Sequence, residues 1–249
     1  MFIKVLIGAF IPLFGTTAGA LIAFASLKRI SDKISSALSG FAGGVMLAAS
    51  VWSLLLPAIE LSSMGKFSFI EPGIGLLAGG LMMLLFSERI NKKYNSKSGK
   101  EKLLYFAVTL HNVPEGMAIG AAYSAYICTG NESLALSALL LSTGIAIQNI
   151  PEGAIVSLPY DTKKSKLKTF MYGVLSGVVE PVAVIITVLL SNLLVPVLPI
   201  MLSFAAGAMI YVVLKELVPD FSGEGKFRYG LIFFFTGFVV MMSLDVALG

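Results

Sequence analysis

Long runs of apolar residues, separated by short polar segments rich in Lys, Ser and Asn, dominate the chain. The runs fall near residues 2–27, 37–60, 70–88, 103–127, 133–159, 169–191, 197–218 and 228–248. Each matches the ~20 residues that a helix needs to cross a hydrocarbon core of roughly 30 Å. Because lipid satisfies no backbone N–H or C=O, each run is predicted to be a helix. A transmembrane β-barrel would instead show short segments of alternating hydrophobicity. The fold class expected is an all-α integral membrane protein, a single domain over 1–249 with eight transmembrane helices. The stretch 88–102 is expected to be a solvated cytoplasmic linker.

Composition agrees with the pattern, with 57% hydrophobic residues, 13% charged and a mean hydropathy of +0.90. The first run follows a Lys and has the flavour of a signal peptide, but it is too long and too many spans follow it, so it reads as the first span. Cys128 is the only cysteine, which excludes an intramolecular disulfide, a thiolate cluster and a paired redox motif.

Charge gives the orientation. Of the 18 Lys and Arg residues, all but Lys4 and Lys66 fall in alternate connections: Lys28 to Lys33, Arg89 to Lys102, Lys163 to Lys168, and Lys215 to Arg228. The positive-inside rule makes these connections cytoplasmic. Both termini are then extracytoplasmic, as an even number of spans requires. The net charge of +4 follows from this asymmetry and does not call for a nucleic-acid partner.

Two spans break the apolar pattern in the same way, "HNVPEG" at 111–116 and "QNIPEG" at 148–153. Ionisable groups inside a span cost about 2.5–3.5 kcal/mol at the helix centre and mark pathways or sites. Three carboxylates lie well inside the spans, Glu115, Glu152 and Glu180, each beside a proline. Pro114 and Pro151 supply no N–H to the carbonyls of Leu110 and Ile147, and each is expected to kink its helix. Residues four apart share a helical face, which puts His111 over Glu115 and Gln148 over Glu152. Asn112 and Asn149, three residues before their glutamates, serve an adjacent position that each carboxylate can share. Imidazole, carboxylate and amide oxygen suit borderline to hard divalent cations, and the lack of thiolates disfavours Cu(I). Glu180 can add a third carboxylate.

These residues resemble those of the ZIP (Zrt-, Irt-like) family of divalent metal transporters, in its compact GufA-like bacterial branch. The resemblance covers the whole chain, and its specific part is the pair of motifs in consecutive spans. It implies a ZIP-like bundle with a binuclear centre halfway along the transport path. His111, Glu115, Gln148 and Glu152 resemble the ligands of one position. Asn112, Glu115, Asn149, Glu152 and Glu180 resemble those of the second. The metal is cargo, bound at one or two positions, and no catalytic cofactor is implied. The resemblance also implies an elevator-like motion of the motif-bearing bundle against the other helices. The family's loop after the third span is often His-rich, whereas 88–102 contains no His.

Outlying candidates complete the picture. Glu216, in "LKELVPD", is placed to assist exit, while Glu60 and Asp245 are placed to draw cations into the entrance, where Met46 and Ser53 could line the path. The function expected is uptake of Zn²⁺, or of Fe²⁺, Mn²⁺ or Cd²⁺, into the cytoplasm across a plasma membrane, with a bacterial inner membrane suggested by the lack of a targeting extension. An intramembrane metal-dependent hydrolase is the alternative from another class. One His in the chain is too few for a zincin motif. Small-residue runs at 15–20, 40–44, 75–80 and 203–208 permit close helix packing and would admit a homodimer.

Overall fold

The computed structural model describes residues 1–25, 32–93, 97–157, 165–223 and 225–248. All regular structure among them is helical. The helices are α1 (Phe2–Ala25), α2 (Asp32–Ala49), α3 (Leu56–Leu61), α4 (Ile70–Lys93), α5 (Lys97–Thr129), α6 (Glu132–Ser157), α7 (Lys166–Leu189), α8 (Ser191–Leu194), α9 (Leu198–Val212), α10 (Val218–Phe221) and α11 (Phe227–Leu248). Among the described residues, seven stretches are long and apolar enough to cross a bilayer: Phe2–Ala25, Lys33–Leu61, Gly65–Arg89, Glu132–Ser157, Leu167–Leu189, Ser191–Phe221 and Phe227–Ala247. The 33-residue α5 is longer than any single α-helix among them, but His111, Asn112, Pro114 and Glu115 dilute its apolar content.

The linker expected at 88–102 is largely helical. Its Lys and Glu residues are good helix formers, and they carry α4 on to Lys93 and start α5 at Lys97.

Four helix pairs build the bundle: α1 along α6, α2 along α11, α4 along α9 and α5 along α7. All four run parallel. Gly15 abuts Ala146 and Gly19 abuts Ile150; Gly40 meets Gly230 and Gly44 meets Phe234; Gly79 meets Phe204; Gly116 meets Glu180 and Gly120 meets Thr187. Lipid tails are as apolar as the helices, so close van der Waals packing at small residues drives such contacts. The small-residue runs are thereby consumed within one chain.

The exterior carries large apolar side chains such as Phe14, Leu77, Leu189 and Phe235, exposed toward the surroundings as a lipid-facing surface requires. Two buried clusters divide the interior. The larger one joins α2, α4, α9 and α11 with parts of α5, α6 and α7, through residues such as Ala42, Met83, Val108, Ile155, Ala183 and Met241. The smaller belongs to α1, α5, α6 and α7 alone, around Ala9, Ile119, Tyr123, Ala138 and Val184.

The turn joining the two motif helices is written into its residues. Gly130 takes a φ of 69°, a left-handed conformation that ends α5, and its N–H donates to Tyr126 O at 2.8 Å. Asn131 then caps α6, its Oδ1 accepting from Ser133 N at 2.9 Å. Elsewhere the helices widen. Ser50–Leu55 and Val213–Leu217 are π-helical, with Leu56 N–H donating to Val51 O and Val218 N–H donating to Val213 O. Each lies just before a proline, Pro57 or Pro219, whose missing N–H and steric bulk disfavour the regular α ladder. At Pro114 and Pro151, by contrast, the α-helix continues without such a segment.

Candidate metal centre

Three helices and the backbone of a fourth meet at the two motifs. α5 contributes Asn112 and Glu115, α6 contributes Gln148, Asn149 and Glu152, and α7 contributes Glu180. All six side chains are buried, none more than 2% exposed. His111 lies on α5 one turn before Glu115, and its side chain is outside the described residues.

The amides interleave with the carboxylates. Gln148 Nε2 donates to Glu115 Oε1, and Asn149 Nδ2 donates to Glu180 Oε1 at 2.8 Å. The same Asn149 Nδ2 reaches the Pro12 carbonyl of α1 at 3.4 Å, and Asn112 Nδ2 donates to Ser176 O at 2.9 Å. Glu180 also lies within electrostatic range of both Glu115 and Glu152.

With those N–H groups engaged, the amide oxygens are left without a donor. Asn112 Oδ1, Gln148 Oε1 and Asn149 Oδ1, together with Glu180 Oε2, are buried and accept no hydrogen bond. Buried acceptors in that condition are costly. A cation can satisfy such oxygen acceptors beside carboxylates. No three His, Cys, Asp or Glu side chains among the described residues converge as a ready-made metal cluster. The oxygens on offer come from a mixed set of carboxylates and amides.

Both motif glycines have a packing role that sequence reading missed. A Cβ on Gly153 would sit 2.1 Å from Thr16 O of α1, and one on Gly116 would sit 2.5 Å from Glu180 O of α7. The residue after each motif glutamate is thus a point where a neighbouring helix backbone comes close. The repetition of Gly after Glu in both motifs was the available signal.

The outlying candidates lie on other helical segments. Asp245 of α11 pairs with Ser53, whose Oγ donates to Asp245 Oδ1 at 2.6 Å. Glu216 is buried within the second π-helical segment, while Glu60 is exposed on α3. Met46 is packed in the larger cluster.

Replacing Asn149 by Leu removes the donor that both Glu180 and the Pro12 carbonyl use. The expected outcome is a stability loss of about 1–3 kcal/mol in detergent thermal melts, with metal affinity lowered about 10–100-fold by titration calorimetry. Unchanged affinity would separate Asn149 from the centre.

A helical multi-pass membrane protein with a buried, oxygen-rich polar centre is the class that these features define. The family model described as ZIP zinc transporter matches residues 100–245. Zinc transporter ZIP11 of Homo sapiens is 33% identical over 99% of this chain and 97% of its own length. Zinc transporter ZIPB of Bordetella bronchiseptica is 33% identical over 94% of this chain and 78% of its own, and zinc transporter GufA of Myxococcus xanthus is 31% identical over 89% and 90%. The chain belongs to the ZIP family.

Proposed function

We propose that the protein carries divalent transition-metal cations, Zn²⁺ foremost, into the cytoplasm through a binuclear centre on α5, α6 and α7. The observation that carries this reading is the set of buried oxygens without hydrogen-bond donors on Asn112, Gln148, Asn149 and Glu180. His111, Glu115, Gln148 and Glu152 form one metal position. Asn112, Glu115, Asn149, Glu152 and Glu180 form the other. Oxygen-dominated ligation suits cargo that must be released, and the names of the relatives support zinc as that cargo.

The reading includes eight spans with both termini extracytoplasmic. The parallel registers support the count: α1 runs with α6 and α2 with α11 only if an odd number of spans separates each pair, which makes α5 a span. The alternate basic connections support a cytoplasmic placement of those loops. That α1, α5, α6 and α7 share a buried cluster of their own supports their moving as a unit against the other helices.

The test is Zn²⁺ uptake into proteoliposomes under an imposed metal gradient, with Fe²⁺, Mn²⁺ and Cd²⁺ as competitors. Saturable uptake is expected, with competition ranking the cargo. Absence of saturable flux of any of these ions through folded, oriented protein would overturn the proposal.

A further inference from the structure

We propose that a groove at the end of the bundle where α1 and α6 begin holds one acyl chain of an amine-bearing zwitterionic phospholipid, its phosphate on Lys4 and its ammonium on Glu132. The groove has a volume of about 250 Å³, below the ~300–1,000 Å³ of a pocket for a drug-sized molecule. Its walls are Ile7 of α1, Tyr123 of α5, and Ala135, Leu136 and Leu139 of α6. Ile7 is 54% and Leu136 57% exposed, so the opening faces the lipid. At the floor, buried Tyr123 packs its ring and hydroxyl into the notch left by Gly8. The interior therefore offers an apolar occupant nothing polar to displace.

The mouth carries the specificity. Lys4 Nζ bonds Glu132 Oε2, and the two side chains keep 46% and 70% exposure. Tyr126 fixes the pair from α5, its hydroxyl donating to Glu132 Oε1 at 3.3 Å while Lys4 Nζ lies 5.6 Å from its ring centroid. An ammonium has three donors and a carboxylate several acceptor sites, so each retains hydrogen-bonding capacity on its open side. A headgroup with one phosphate and one primary ammonium matches this opposed pair of charges. A purely anionic headgroup meets the Glu132 carboxylate as well as Lys4. A trimethylated amine supplies no N–H to the carboxylate.

The site is separate from the metal centre, and its test reads lipid instead of flux. Delipidated protein is equilibrated with an equimolar mixture of palmitoyl-oleoyl phosphatidylethanolamine, phosphatidylcholine and phosphatidylglycerol, and retained lipid is counted by native mass spectrometry. One phosphatidylethanolamine per chain is expected, favoured about tenfold over the others by its charge-assisted hydrogen bonds. Leu136→Trp, which fills the groove from its rim, should lose it, and Ile7→Trp from the opposite wall should do the same. Glu132→Gln should abolish the preference among headgroups. Melting in lipid-free detergent identifies correctly folded variants. Equal retention of all three lipids by the unaltered protein, or retention of phosphatidylethanolamine by both folded Trp variants, would overturn the proposal.

Discussion

Replacing Glu115 and Glu152 together by Ala is expected to lower metal uptake by at least about 100-fold while the protein still inserts and folds. Altering groups that only support metal ligands costs 10–100-fold, and here two carboxylates at the centre itself are removed. Either single variant leaves one motif carboxylate in place and should retain more activity than the double. Glu180 then remains, with its Oε1 accepting from Asn149. Folding should survive because a buried carboxylate carries a desolvation penalty that Ala does not. The offset is the amide of Gln148, which loses its acceptor on Glu115 at about 1–3 kcal/mol. Uptake in proteoliposomes, normalised to inserted protein, decides the matter. Flux within a few-fold of the unaltered protein would remove the two motifs from the transport path.

Opposite signs are expected for two Gly→Ala changes on the same helix, α6. A methyl on Gly153 would stand 2.1 Å from Thr16 O and 2.8 Å from Thr16 C, both backbone atoms of α1 that no rotamer change can move. Separating α1 from α6 disturbs the contact from Pro12 O to Asn149, and overpacking of this kind costs about 1–3 kcal/mol. Metal affinity should fall with stability, since Asn149 and Glu152 share that turn. At Gly144 nothing lies within 4 Å of the added methyl. There Ala should stabilise by up to about 1 kcal/mol through its helix propensity. Thermal melts of the two variants test the parallel α1–α6 packing directly. Equal behaviour would show that the helices do not approach at Gly153.

Much of the centre is legible in the sequence because its signals are local. An apolar run long enough for a bilayer declares a span wherever it occurs, and a Glu beside Pro inside one is conspicuous by its cost. The four-residue spacing places Gln148 over Glu152 on one helix, but the described contact of Gln148 is with Glu115 on another. That exchange of partners depends on how far α5 and α6 slide past each other, which neither motif encodes alone. Ser53 and Asp245 were separate candidates in sequence and form one pair in the fold. The π-helical segments at Ser50–Leu55 and Val213–Leu217 were likewise not anticipated, although a proline follows each.

By itself the sequence determined the helical membrane class, the basic connections and the six polar side chains proposed for the centre on α5, α6 and α7. These follow from hydrophobic length, charge and the cost of burying polar groups, all of which act over one or two helical turns. Only the tertiary structure decided that α1 closes the centre through the Pro12 carbonyl and that the motif glycines serve as helix contacts. It also decided that the small-residue runs are spent within the chain. Such pairings arise because, in lipid, every helix is apolar outside, and the choice of neighbour falls to close fit between whole surfaces.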